Sequence, residues 1–223
     1  MAFFNQDYLD FFSELEQNNN KDWFDINRKR YEKTVKIPFK GFIQEMALAL
    51  QSVYPDVELR DNYSVMRINR DIRFSKDKTP YKIHMGGMVS PYGKKEKGKP
   101  GFYVQANHAD VRVYSGVHSL EKEQLYAIRE HITDNLNRFN KLINNKDFKS
   151  AYNGVLGEKN KRIPKEFSEA AEKQPLIFNK SFYWYFKLPA KTIIADDLVE
   201  QLVSNYKKAM PLNRFFEEVL RDG

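Results

Sequence analysis

The chain has 223 residues, 41% hydrophobic and 14% aromatic, enough for a sizeable core because a chain of this length buries about 70% of its unfolded surface; disorder along its whole length is excluded. It contains no cysteine, which removes disulfides, thiolate metal sites and cysteine nucleophiles and suits the reducing cytoplasm. Its 37 Lys and Arg against 30 Asp and Glu leave a net charge of +7, favouring polyanionic partners, while no apolar run or basic leader announces a membrane span or signal peptide.

Tyr8, Leu9, Phe11, Phe12 and Leu15 recur at helical spacing and predict a first helix that stops at Asn18-Asn19-Asn20. Asn20 is an N-cap candidate for the next helix, where Trp23, Phe24, Asn27, Tyr31 and Val35 return every three or four residues. Pro38 has no N–H to donate, so it kinks that helix or sits in the first turn of a new one. Phe42, Ile43, Met46, Ala47 and Leu50 carry the apolar stripe on to Tyr54-Pro55.

From Val57 the period falls to two. Met66, Ile68, Ile72 and Phe74 share one parity, with Arg70 the exception, and Tyr63, Val65, Arg67, Asn69, Asp71 and Arg73 share the other. The alternation predicts a strand over Tyr63 to Phe74, with Phe74 in the core and a mostly polar opposite face. A second strand is expected over Tyr81 to Ser90, then a Lys-rich loop over Pro91 to Gly101. Gly101 to Gln105 and Val111 to Ser115 read as a hairpin around Asn107-His108-Ala109-Asp110, a connection too short for anything but antiparallel pairing.

Ser119 is the expected N-cap of the following helix, which buries Leu125, Ile128, Ile132 and Leu136. A short helix over Asn137 to Tyr152, a loop over Gly154 to Pro164 and a short helix over Ser168 to Lys173 come next. Leu176 to Leu188 returns to strand character, with Phe178, Phe182, Trp184 and Phe186 on one parity, and two helices, Asp196 to Met210 and Leu212 to Arg221, close the chain. Segments 6–54, 119–152 and 196–221 are thus helical, and 57–116 and 176–188 rich in strand. With no repeat and no linker, the pattern predicts a single α+β domain, 1–223, whose antiparallel or mixed central sheet is flanked by N-terminal and C-terminal helices.

The most distinctive stretch runs from Arg67 to Lys82. From Arg70 onward it reads R-D-I-R-F-S-K-D-K-T-P-Y-K, which resembles the R-D-x-R-F-S-x-D-K-x-P-Y-K hallmark of a widespread microbial family of uncharacterised proteins, domain of unknown function 2461. Leu15 to Tyr31 is similar to that family's N-terminal N-N-x-x-W-F signature. Gly116 to Leu125 resembles its strand-to-helix junction, where a Pro is common after the position of His118 and this chain has Ser119. The resemblance covers nearly the whole chain and implies an α+β fold. The family's activity is not established, so the resemblance implies no catalytic residue.

Chemistry singles out the same stretch. Arg67, Asp71 and Arg73 share the predicted polar strand face, and Ser75, Lys76, Asp77, Lys78, Thr79 and Lys82 surround the turn at Pro80. Clustered cations and hydroxyls hold phosphate, and the planar guanidinium suits oxyanions. The expected ligand-binding set is Arg67, Arg73, Lys78, Tyr81 and Lys82, with the arginines holding charge, the lysines adding reach and Tyr81 stacking or hydrogen-bonding. A basic groove with aromatic platforms fits single-stranded nucleic acid as well as a phosphorylated small molecule. Beside this stands a structural reading, in which Arg67, Asp71, Arg73 and Asp77 pair with one another or with a neighbouring helix.

Three functions therefore stay open. The first is a binding module for an anionic, phosphate-bearing ligand, with no cofactor or membrane partner implied. The second is an enzyme acting on an anionic substrate in the same pocket, with Asp71, Asp77 and His118 as acid–base candidates; His118 precedes a predicted helix N-terminus. The third is a protein-interaction module presenting Tyr183 and Tyr185. His84, His108, His118 and His131 lack i, i+4 spacing, so no metal site is expected. Asn19, Asn20, Asp22 and Trp23 read as a capping turn, and no Walker A, G-x-G-x-x-G, G-x-S-x-G or H-E-x-x-H motif occurs.

Overall fold

The computed structural model describes residues 2–93 and 98–220; positions 94–97 of the Lys-rich loop and the end of the last helix at Arg221 lie outside the described residues. Helix α1 (Gln6–Gln17) buries Tyr8, Phe11, Phe12 and Leu15, as its spacing predicts. Helix α2 (Lys21–Arg30) opens on Asn20, whose side chain accepts the Trp23 N–H. A wider π-helical turn, Tyr31–Lys36, joins it without a break to α3 (Ile37–Leu50). There Ile37 N–H reaches back five residues to the Glu32 carbonyl. The wider turn has a cause in the sequence, since Pro38 in the first turn of α3 has no N–H to donate and its ring crowds the carbonyl four residues back.

Strands β1 (Tyr63–Val65), β2 (Met85–Val89), β3 (Phe102–Ala106), β4 (Asp110–Val117) and β5 (Phe182–Pro189) form an antiparallel sheet in the order β1-β2-β3-β4-β5. With the helices α4 (Lys122–Asp134), α5 (Leu136–Ile143), α6 (Lys146–Ala151), α7 (Ser168–Lys173), α8 (Leu198–Lys207) and α9 (Met210–Leu220) this is an α+β fold. The β3–β4 hairpin closes as expected, Asn107 N–H donating to the Asp110 carbonyl.

The described residues of Met1–Pro91, Tyr103–Val113 and Lys187–Val203 form one compact unit, and those of Tyr92–Phe102, Tyr114–Phe186 and Ser204–Gly223 a second. In the first, aromatic rings interlock: Phe11 meets Phe12, Trp23, Phe24 and Tyr31, and Phe4 meets Tyr8, Phe39 and Phe42. In the second, Trp184 is buried between Phe148 and Phe216, and Phe186 packs on Tyr152. Such edge-to-face and tilted pairs add about 0.5–1.5 kcal/mol each beyond burial.

Several local expectations are corrected. The strand predicted over Tyr63 to Phe74 ends at Val65, the one predicted from Tyr81 begins at Met85, and Phe74 is 95% exposed instead of buried. Ser119 is not the N-cap of α4. That role falls to Glu121, which accepts the N–H of Gln124 while the Gln124 side chain accepts the Glu121 N–H. Ser119 instead takes φ +57°, a value closed to the Pro that the family resemblance shows there, because proline is locked near −65°. The segment 137–152 is two helices, broken where Asn145 caps α6, and Pro175–Phe178 is a 3-10 turn before β5.

Gly116, beside the β4 exit, has φ +105°, and a Cβ there would strike the Phe182 carbonyl and lie 2.8 Å from Tyr183 Cα. Gly116→Ala is therefore expected to cost about 2 kcal/mol or more, read as a thermal midpoint lowered by roughly 4–8 °C. An unchanged midpoint would contradict the close strand approach.

Candidate functional site

Beyond Val65 the β1–β2 pair continues as an irregular arm. The pairing Tyr63↔Val89, Ser64↔Met88 and Val65↔Gly87 extends to Met66 N–H on the Gly86 carbonyl, then resumes with Asn69 opposite Tyr81, Lys82 N–H on Ile68 and Arg70 N–H on Pro80. The returning side thus carries two more residues than the outgoing side between these pairings, a bulge around Ile83 and His84 that re-aims the side chains beside it. Pro80 donates nothing to the ladder. Side chains take over the carbonyls left free, Lys78 Nζ binding Ile72 O at 2.9 Å and Lys82 Nζ binding Arg67 O at 3.0 Å.

Arg70, the residue that broke the predicted apolar parity, is the hub of this arm. Its Nη1 donates to Asp77 Oδ2 at 2.5 Å and to the hydroxyl and carbonyl of Thr79, and its Nη2 reaches Ser75 Oγ. Asp77 Oδ1 in turn accepts the N–H and hydroxyl of Thr79, both at 2.9 Å. The Thr79 N–H first, then Arg70 and the Thr79 hydroxyl, hold the Asp77 carboxyl down to about 2. Asp71 is gripped by the Nε and Nη2 of Arg73 at 3.0 and 2.7 Å, and this fork holds its carboxyl below the usual range.

The three consecutive asparagines anchor the arm to the helices, each with a separate task. Asn18 ends α1 on the Glu14 carbonyl, and Asn20 caps α2. Asn19 reaches Tyr81, its Nδ2 donating to Tyr81 O at 2.9 Å and its Oδ1 accepting Tyr81 N–H at 3.1 Å. The Tyr81 ring, 6% exposed, stacks on Phe24 with centroids 4.0 Å apart.

Six cations and two carboxylates lie between Arg67 and Lys82, and both carboxylates are taken up by Arg70 and Arg73. Among the described residues, Arg67, Lys76, Lys78 and Lys82 form no ion pair with a carboxylate. Burial, then the nearby Arg67, lowers the Lys82 pKa. Beside Lys82, His84 is pushed down to about 4 by burial and by the positive charges of Lys82 and Arg112, with Asp110 pulling the other way. Asp110 also serves two cations, accepting Arg112 Nε and Nη2 at 2.8 Å and lying 3.6 Å from Lys187 Nζ. His84 and Arg112 were absent from the residues expected from the sequence. The outward parity of Arg112 on β4 was the signal available.

Of the expected set, Arg67 and Lys82 therefore come together at the base of the arm, Arg73 and Lys78 are held nearer its tip, and Tyr81 anchors it. His118 belongs to the second unit, exposed, with Nδ1 3.0 Å from Ser119 Oγ. Tyr183 and Tyr185 are half-buried, the first with its backbone paired to Leu156 and the second with its ring against Tyr114. Among the described residues, no three potential ligands are grouped to hold a metal, and no helix is long and apolar enough to cross a membrane.

The molecule is an α+β protein with a cation-rich arm pinned to its N-terminal helices. A family model described as "Conserved hypothetical protein (DUF2461)" matches residues 7–215, and the chain belongs to that family. A comparison with curated proteins gives no match. Two of the three segments that carry the family resemblance, around Asn19 and around Tyr81, are joined by the Asn19 clamp.

Asn19→Ala removes both bonds to Tyr81 and is expected to cost about 1–3 kcal/mol, seen in urea unfolding and in faster exchange of the Tyr81 amide; Asn19→Asp keeps an acceptor for that amide but sets a carboxylate against the Tyr81 carbonyl, and is expected to destabilise as well. Unperturbed exchange in both variants would contradict the clamp. Asp77 has a folded value below its ordinary 3.8, so its bonds contribute fully above that pH and are lost as pH falls through about 2. The Thr79 amide resonance should accordingly titrate near 2, and a midpoint near 4 would show the carboxylate unengaged.

Proposed function

We propose that the chain is a binding module for an anionic, phosphate-bearing ligand, held by Arg67 and Lys82 at the base of the arm with His84 and Arg112 beside them. The observation that carries this reading is the charge imbalance. The arm's carboxylates are spent on Arg70 and Arg73, while Lys82, half-buried and next to Arg67, is held among the described residues by a backbone carbonyl and by no carboxylate. Like charges held together at a partly buried position repel, and a phosphate relieves that repulsion with charge-assisted hydrogen bonds. Arg73 and Lys78 add positive potential nearer the tip, and Tyr81 acts as the anchor that places Lys82.

Binding accounts for the carboxylates better than catalysis does. A general acid or base works best with a pKa near the working pH, whereas Asp71 and Asp77 are ionised and locked in ion pairs. A cysteine-free, basic chain suits the reducing, polyanion-rich cytoplasm, where we place this activity.

The test is calorimetric titration with pyrophosphate and polyphosphate. Lys82→Ala is expected to weaken binding about tenfold or more, the loss of one charge-assisted bond, and Arg73→Ala less, because Arg73 is already engaged by Asp71. Equal affinities in the wild type and Lys82→Ala would overturn the site. A bound anion should also raise the His84 pKa from about 4, because it offsets the cations that now depress it. An imidazole proton resonance that titrates at the same pH with and without bound pyrophosphate would place the anion elsewhere.

A further inference from the structure

Of the 17 phenylalanines, sixteen are buried or half-buried, and Phe74 is 95% exposed. Its exposure is built. Phe74 is the third residue of a turn closed by Ser75 N–H on the Ile72 carbonyl, and Lys78 Nζ braces that same carbonyl. The Arg70 hub then fixes the return of the chain through Ser75, Asp77 and Thr79. A ring held outward by an organised turn presents its face to solvent. The Arg73 guanidinium sits 5.9 Å from the ring centroid, and the arm around it carries the unneutralised cations already described.

We propose that the ligand of this arm is single-stranded nucleic acid, with a base stacked on Phe74 and phosphates drawn to Arg67, Lys76, Lys78 and Lys82; the proposal deepens the anion-binding reading and rests on it. An aromatic face beside a basic track is the combination that binds single strands, because every base has a π-face and every link a phosphate. Arg73 adds a planar cation at the ring, a partner for an incoming base as well. Charge complementarity favours this occupant over a lipid surface. Insertion among acyl chains calls for several apolar side chains, and the neighbours of Phe74 in the turn are Arg73 and Ser75, followed by Lys76 and Asp77. Duplex DNA, its bases already stacked inside, gives the ring no face to meet.

The test is fluorescence anisotropy with a labelled oligothymidylate of about a dozen nucleotides, against an abasic strand of the same length, polyphosphate and phosphatidylserine vesicles. The wild type should bind the oligothymidylate more tightly than the abasic strand. Phe74→Ala should weaken binding of the oligothymidylate about 5- to 150-fold and leave polyphosphate and the abasic strand unchanged. Phe74→Trp should retain binding and Phe74→Leu should not, since leucine keeps an apolar side chain but no π-face. The ring is almost wholly solvent-exposed, so each variant should keep the wild-type melting midpoint. Equal binding of the base-bearing and abasic strands, or an Ala variant as tight as the wild type, overturns the stacking proposal; polyphosphate binding that still depends on Lys82 then leaves the anion reading intact. Loss of vesicle binding in Phe74→Ala but not in Phe74→Leu or Phe74→Trp, with no preference for bases, overturns it in favour of a lipid surface. A protein that binds no polyanion at all removes both readings.

Discussion

The side-chain amide of Asn19 stands where a neighbouring strand would otherwise be. It satisfies both backbone groups of Tyr81, 62 positions away in sequence, while the Tyr81 ring lies flat on Phe24. The arm from Met66 to His84 needs such an outside support. Its own ladder is interrupted by a two-residue bulge and by Pro80, and a two-stranded ribbon alone is marginally stable in water. Through Tyr81 the clamp also sets Lys82, whose N–H binds Ile68 and whose ammonium returns to Arg67. The placement of the basic cluster thus depends on one asparagine at the junction of α1 and α2, and on the aromatic packing of Phe11, Phe24 and Tyr31 that holds this junction.

The arm divides its charged residues into two groups with opposite effects. Arg70, Asp77, Arg73 and Asp71 satisfy one another, and because all but the half-buried Arg70 are exposed their worth lies in fixing geometry more than in net stability. The second group, Arg67, Lys76, Lys78 and Lys82, raises the local positive potential. Of these, Lys82 is felt at His84, which burial, Lys82 and Arg112 together keep neutral at physiological pH. Close to the surface such a field is strongly screened at about 0.15 M salt beyond roughly 8 Å, so it acts chiefly on ligands already at the arm.

Periodic, strongly apolar segments were legible in the sequence. Helices α1 to α3, the α7 turn, the β3–β4 hairpin and the Phe182 to Leu188 half of the predicted Trp184 strand lie where their spacing puts them, because a tertiary core rewards the same residues that the period marks. Polar residues whose partners are local were also readable, as Asn20 was. The arm misled for a physical reason. Its alternation of Ile68, Ile72 and Phe74 with polar residues imitates a half-buried strand, yet side chains at Arg70, Asp77, Lys78 and Thr79 bind the backbone and one another, which ends the ladder and turns Phe74 outward. Asn19 was read as capping because its true partner is 62 residues distant. His84 and Arg112 were missed because pairing them requires knowing that β2 and β4 lie on either side of β3.

The anchors and the outward residues of the arm make sense only together. Ordering a loop opposes binding when it happens at the moment of binding, by about 0.5–1.5 kcal/mol for each immobilised long side chain. Here the bonds among Asn19, Tyr81, Arg70 and Asp77 supply that order from within the chain itself. The same order forces Arg67 and Lys82 together and holds a phenylalanine in water, both unfavourable to the free fold. A strand of purely structural use would gain by burying Phe74 or by placing an acid beside Lys82, and the described residues do neither. On the proposed reading, a bound polyanion relieves both conditions in one step, so the features that weaken the free arm are those that set its affinity.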